Sequence, residues 1–325
     1  MIISQTPLRL SFFGGGTDLQ KFYGAYGGAV FSTAIDRFVY VVVKRRFDKL
    51  IRVSYSHTEM VEEVDQIKHD LVREAMRVTG VGPGVEIVTL ADVPSEGTGL
   101  GSSSSLTVGL LNALFSYQGE VRGAHELAEL ACDIEIKRLG RPIGKQDQFI
   151  AAHGGLRHIR FEPDESTICE TPAIPQEYIA ALRNRLLAFF TGGSRSSSSI
   201  LEEQRDRTSE HADILIAMRQ QSFDAIEVLR QGRLDEFGRM LDETWRLKRQ
   251  LASNITNPLV EDMYETALQA GALGGKIAGA GGSGFMLLYV PPERQDQVRA
   301  VFASKTELPI QLEARGSRIT FHTER

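Results

Sequence analysis

Gly97-Thr98-Gly99-Leu100-Gly101-Ser102-Ser103-Ser104-Ser105 places three glycines within five residues ahead of four hydroxyls. Such a run can cradle a phosphate. Glycine permits positive φ and close approach, and the first turn of a following helix carries unpaired N–H donors at the positive end of its dipole. One serine caps a helix start, and four exceed that need. The run has no lysine and does not fit the P-loop spacing, so phosphate charge must be met by backbone N–H groups, a cation and basic residues from elsewhere. Glu135 and Asp147 fit the remaining needs of phosphoryl transfer: a carboxylate beside a hydroxyl suits Mg²⁺, and a second carboxylate can take a proton from a hydroxyl nucleophile. Each also reads as an ordinary solvated helix carboxylate. Gly279-Ala280-Gly281-Gly282-Ser283-Gly284 matches the dinucleotide fingerprint, but that motif must open a helix, and Phe285 to Val290 reads as a strand. It reads instead as a glycine hairpin or a loop packed on a bound substrate or nucleotide. The seven histidines show no metal-ligand spacing. Arg195, in Gly193-Ser194-Arg195-Ser196, reads as a surface loop residue or as a phosphate ligand at a helix start.

The elements that must position these residues follow from periodicity. Val85 to Leu90 reads as a strand leading into the glycine run. Leu106, Leu110 and Leu114 give the helix after it. Residues 1–60 are β-rich, with strands at Ile2-Ile3, Leu8 to Phe13, Val30 to Ser32 and Phe38 to Arg45. A helical stripe runs from Glu59 to Val78 and stops at Gly80. Another helix spans Ala124 to Leu139, with Ala124, Ala128, Ala131 and Glu135 on one face. Glu162 to Gln176 holds three prolines and several acids and marks a domain boundary, giving residues 1–170 and 171–325. The second half starts with a buried strand at Leu186 to Phe190. Helices follow from Ile200 to Leu251, broken near Gly232, and another runs from Pro258 to Ala270. A strand then spans Phe285 to Val290 and a helix Glu293 to Ala303, with closing strands at Ile310-Leu312 and Ile319 to Phe321.

A length of 325 residues accommodates two domains, and a net charge of −5 argues against nucleic acid as a partner. Two cysteines exclude a disulfide framework, and no apolar run spans a bilayer. A soluble cytoplasmic protein without a signal peptide or membrane partner is expected; no feature fixes an oligomeric state.

Three separated stretches resemble the three motifs of the GHMP small-molecule kinases: Pro7 to Asp18, Pro94 to Ser104 and Lys276 to Gly284. The resemblance covers the chain and implies an α+β fold. An N-terminal nucleotide-binding α/β domain, like domain 2 of ribosomal protein S5, would face a C-terminal ferredoxin-like domain across the active site. It implies ATP and Mg²⁺, with Gly97, Gly99, Leu100, Gly101, Ser102, Ser103 and Ser104 around the nucleotide. Ser103 and Glu135 would hold the metal. Asp147 would take or orient the acceptor hydroxyl proton, and Arg9 would stabilise charge at the transferred phosphoryl. Gly14, Gly15, Thr17, Asp18, Lys145, Arg195, Gly281 and Gly282 would line the sugar site, with Asp18 accepting a sugar hydroxyl. Phe12 to Asp18, Gly144 to Gln148 and Thr191 to Ser196 resemble the anomeric sugar kinases of the family. The implied acceptor is the C1 hydroxyl of D-glycero-D-manno-heptose 7-phosphate, with fucose or galactose as alternatives. Gly15 and Gly16 stand where galactokinases carry larger side chains, leaving room for a longer sugar, whose distal phosphate Lys145 and Arg195 would bind. A non-catalytic sugar- and ATP-binding regulator is the competing reading; the presence of Ser103, Glu135 and Asp147 together argues against it.

Overall fold

A computed structural model of the chain describes residues 1–94, 97–192 and 198–323. In chain order the elements are β1 (Ile2–Phe13), α1 (Gln20–Tyr26), β2 (Gly28–Arg45), β3 (Ile51–Ser54), β4 (Thr58–Val61), α2 (Asp70–Thr79), β5 (Val85–Ala91), α3 (Ser102–Tyr117), α4 (Ala124–Cys132), α5 (Gln146–His153), β6 (Leu156–Phe161) and β7 (Thr167–Glu170). The second half contributes α6 (Gln176–Arg183), β8 (Leu186–Phe190), α7 (Ser198–Asp206), α8 (Ala212–Arg230), α9 (Leu234–Lys248), α10 (Pro258–Gln269), β9 (Gly274–Ile277), β10 (Phe285–Tyr289), α11 (Gln295–Val301) and β11 (Arg318–His322). This is the expected α+β arrangement of two domains.

The first sheet runs β11-β1-β2-β5-β3-β4. β2 is long enough to pair β6 along Gly28–Thr33 and β5 along Val39–Arg45. The two strands expected within 30–45 are thus one. Asp36 and Arg37, which break the apolar pattern, are the extra residues of a bulge where the register with β1 shifts between Pro7 and Leu8. The helix expected from Glu59 begins only at Asp70. Residues 58–61 pair with β3 instead, and the Glu59 carboxylate accepts the N–H groups of Lys68 and His69, turning the chain before the helix. α4 continues as a π-helical turn over Asp133–Arg138. β11 returns to pair with β1, so this part of residues 171–325 belongs to the first sheet. Of the strand expected at 310–312, only a bridge from Leu312 to Ile35 forms.

The apolar faces of α2, α3, α4 and α5 bury one side of this sheet. The other side meets the second domain, whose sheet is β8-β10-β9, all antiparallel. Phe237 of α9 sits at that seam, edge-on to Phe12 and Phe13 with centroids 5.4 and 5.0 Å away. Leu8, Leu10 and Phe31 from one side and Leu241, Phe285 and Leu287 from the other complete a core common to both domains. Burial on this scale makes the seam a fixed platform rather than a loose contact.

His158 of β6 is buried, with Nε2 3.3 Å from Ser222 Oγ and its ring edge-on to Phe223. Burial, reinforced by Arg160, holds its pKa down to about 4; burial and Arg157 do the same for His153. An unfolded histidine binds a proton near 6.5, so between about 6.5 and about 4 the unfolded state holds more protons and stability is lost as pH falls. Urea midpoints measured across that window should drop on acidification, and His158→Gln should flatten the slope. A slope unchanged by the substitution would remove His158 from this account.

Candidate active site

The start of α3 is the centre of the site. Gly97, Gly99 and Gly101 all have positive φ, and Gly101 occupies the left-handed region as the N-cap, with no side chain capping the helix. The N–H groups of the first turn are therefore left for a ligand. Ser102 Oγ is buried without a partner among the described residues, a second pointer to a polar ligand here. Ser104 is buried near Glu135, and Ser105 Oγ donates to the Pro7 carbonyl at 2.8 Å, a structural use. Leu100 serves through its backbone. Its side chain is buried in the seam core and its carbonyl accepts the Arg9 N–H at 3.0 Å.

Beside this helix start, Arg9 on β1 holds Asp147 in the first turn of α5. Nε donates to Oδ1 and Nη2 to Oδ2, each at 2.7 Å, and Nη1 donates to the Gly99 carbonyl. The arginine side chain is 6% exposed and the aspartate 22%. A guanidinium held away from water thus orients a carboxylate that still reaches it. Three of the five Arg9 donors are engaged within the protein. In this geometry Arg9 aims Asp147.

Asp18 is buried and clasps the same turn. Oδ1 accepts the Gly16 N–H at 3.0 Å, Oδ2 accepts the Gln146 N–H at 3.2 Å, and the Asp18 carbonyl accepts the Lys145 N–H. Burial raises its pKa, followed by the charge of Asp147. Of the other first-motif residues, Gly15 would accept a Cβ in ordinary contact, 3.7 Å from Ser11 Oγ and 3.9 Å from Gln146 Nε2. Gly14 and Thr17 have structural contacts of their own. A Cβ at Gly14 would overlap the Ala29 carbonyl, and the fully buried Thr17 hydroxyl donates to the carbonyls of Gly14 and Ala29. Both are loop-forming residues.

On the far side of the α3 start, Ser103 Oγ donates to Glu135 Oε1 at 2.6 Å. Glu135 lies in the π-helical turn, and it is fully buried. Irregular turns of this kind recur at functional sites because they re-aim a side chain. Burial raises its pKa, while hydrogen bonds from Ser103 and Ser104, the charge of Arg141 and a bond from Gln148 oppose the rise. Arg141 Nη1 donates to Ser103 Oγ at 2.5 Å and lies 3.3 Å from Glu135 Oε1, while Nη2 reaches Asp70. A cationic group thus already rests on both oxygens. A hydroxyl and a carboxylate are donors that suit Mg²⁺, and the residues fit that ion. Among the described residues no cluster of three or more His, Cys, Asp or Glu could hold a metal.

Lys145 is turned toward the β6–β7 hairpin. Nζ donates to the carbonyl and Oε2 of Glu165 at 3.2 and 3.3 Å and lies over the Tyr23 ring. Gly281 and Gly282 pack against the 252–257 turn, where the Gly282 N–H donates to the Ile255 carbonyl at 2.7 Å and its carbonyl accepts from Asn257 Nδ2. Arg195 lies outside the described residues, as do Ser95 and Glu96 of the second motif. The sequence does not single out Arg141, Asp70 or Lys248, and it marks Gln148 only as the end of the Gly144 to Gln148 stretch. The first three are single polar residues in polar or amphipathic stretches, and no local pattern marks them.

A model of the GHMP kinases N terminal domain matches residues 65–155, and one of the GHMP kinases C terminal region matches residues 225–306. D-glycero-alpha-D-manno-heptose 7-phosphate kinase of Campylobacter jejuni is 30% identical over 308 residues, 90% of this chain and 91% of that protein. L-fucokinase/L-fucose-1-P guanylyltransferase of Bacteroides fragilis is 24% identical over 353 residues, 95% of this chain and 37% of that longer protein. Among solved structures, a D-glycero-D-manno-heptose 1-phosphate kinase from Bacteroides thetaiotaomicron superposes with a TM-score of 0.83 at 24% identity, covering 100% of both chains. Lactococcus lactis galactokinase complexed with galactose does so with a TM-score of 0.75 at 19% identity, over 98% of this chain and 94% of that one.

The clasp between Asp18 and the turn before α5 depends on a missing side chain: a Cβ on Gly144 would lie 1.9 Å from Asp18 Oδ2. Gly144→Ala should break the bond to the Gln146 N–H and leave buried polar groups unmatched, costing about 1–3 kcal/mol. Denaturant titration checks this; an unchanged midpoint would show that the clasp does not carry that load.

Proposed function

The chain belongs to the GHMP kinase family, and from that membership and the site geometry we propose that it transfers the γ-phosphoryl of ATP to the C1 hydroxyl of D-glycero-D-manno-heptose 7-phosphate. The products are the 1,7-bisphosphate and ADP, a step that would serve nucleotide-heptose biosynthesis. The observation that carries the chemistry is the Arg9–Asp147 pair lying against the start of α3, with Ser103 and Glu135 on its other side. A regulator that only bound sugar and ATP would not need this pairing.

In this reading the first-turn N–H groups of α3 and the hydroxyls of Ser102 and Ser104 hold nucleotide phosphates. Ser103 and Glu135 would hold Mg²⁺, which when bound offsets phosphate charge. The C1 hydroxyl lies near Asp147. As its oxygen bonds to the γ-phosphorus and the bond to the ADP oxygen breaks, its proton passes to an Asp147 carboxylate oxygen. Arg9 keeps that carboxylate oriented. Asp18 holds the turn carrying Asp147 and has lone pairs left for a sugar hydroxyl. The heptose rests on the similarity to the Campylobacter jejuni protein and on the missing side chain at Gly15. Lys145, whose ammonium now rests on Glu165, is the cation we assign to the distal phosphate, together with Arg195. No helix among the described residues is long and apolar enough to cross a membrane, and we place the enzyme in the cytoplasm.

Asp147→Asn removes the base and little volume. kcat should fall by about 10²–10⁴-fold with ATP affinity unchanged, read by steady-state kinetics and calorimetry. A near-normal kcat would show that Asp147 takes no proton. A panel of heptose 7-phosphate, heptose, fucose and galactose tests the acceptor, with the phosphorylated carbon read by NMR. Turnover should need the 7-phosphate; preference for fucose or galactose would replace the heptose assignment.

A further inference from the structure

Lys248, the last residue of α9, is 6% exposed, yet among the described residues it has no carboxylate within ion-pair distance. Its ammonium donates to the Gly279 carbonyl and lies 3.5 Å from the Ile277 carbonyl. Two acceptors leave one of its three donors without a protein partner among the described residues. The carbonyls it holds belong to β9 and to the glycine loop that interlocks with the phosphate loop. A Cβ on Gly99 would lie 2.3 Å from the Ala278 carbonyl, and one on Gly279 would lie 2.6 Å from the Gly99 Cα. A second buried lysine, Lys276, crosses the same seam and donates to the Phe12 carbonyl at 3.1 Å. Two buried ammonium groups at one seam, neither matched by a carboxylate among the described residues, are costly for a fold. Apolar groups of similar volume often replace buried charges without loss of stability, which points to a use for these two beyond stability.

We propose that Lys248 is a positioning residue for the transfer: it fixes the height of the 278–284 loop over the phosphate loop, and its charge awaits the polyanionic nucleotide that enters the seam. The inference rests on the kinase reading above and deepens it. The charged groups facing Lys248 are Arg9 on β1, Asp18 in the loop after it, Asp147 on α5 and Lys276 on β9. Burial, then Arg9, brings the Lys248 pKa down to about 7, while Asp18 and Asp147 oppose the fall. Above that pH the free enzyme carries a neutral amine. A bound polyphosphate stabilises the ammonium, so binding must draw a proton from solution.

Calorimetry of Mg²⁺·ADP binding in buffers of different ionisation heat reads this proton directly and needs no sugar. Near pH 8 the wild type should take up roughly half a proton or more, and near pH 6, where Lys248 is already charged, little. Lys248→Met should abolish the uptake and lower kcat/KM for ATP by about tenfold or more. Lys248→Arg, charged throughout, should bind without uptake and lack the decline of kcat/KM expected of the wild type as pH rises through about 7. Nucleotide binding without uptake in the wild type, or uptake that persists in Lys248→Met, overturns the proposal. Should the Met variant fail to fold, the wild-type and Arg measurements decide alone. A wild type that binds no nucleotide takes the kinase reading down and this inference with it.

Discussion

The bidentate contact between Arg9 and Asp147 is the interaction on which the rest of the site depends. It joins three segments that are far apart in the chain: the middle of β1, the first turn of α5 and, through the Gly99 carbonyl, the phosphate loop. Removing an arginine from water is costly, and only a partner of matched geometry compensates. That cost is what makes the arrangement specific. A small shift of any of the three segments would strand a buried charge, so the core around them is built to prevent it. Phe12 and Phe13, at the end of the same strand, lock into the ring of Phe237, and Asp18 binds the turn that presents Asp147.

The second constraint is the absence of side chains. The phosphate loop and the 278–284 loop approach until the Cα of Gly99 and the backbone of Ala278 and Gly279 are in van der Waals contact. No other residue type allows that approach, which brings the unpaired N–H groups of α3 under the second domain. Glycine contributes here through the volume it lacks more than through its dihedral freedom.

Much of this was legible in the sequence. The strand at 85, the helix at 102 and the glycine runs between elements are local patterns, and local patterns survive in a linear reading. Glu135 and Asp147 were legible as chemistry, Ser103 and Arg9 through the family resemblance, and the fold brings the four to one helix start. What stayed hidden depends on contacts far along the chain or on irregular backbone. Asp36 and Arg37 look like a strand break and are a bulge. The face shared by Ala128, Ala131 and Glu135 assumes a regular helix, whereas a π-helical turn presents the glutamate. Arg141 and Lys248 carry no pattern of their own. Each acquires meaning only from carbonyls, hydroxyls and carboxylates that folding brings within reach.

The return of β11 to the first sheet gives the molecule a particular mechanics. The second domain leaves the sheet after β7 and rejoins it before β11, so it is held by two covalent crossings. Two covalent crossings and a core common to both domains resist rotation of one against the other, so Gly279 keeps its place on Gly99.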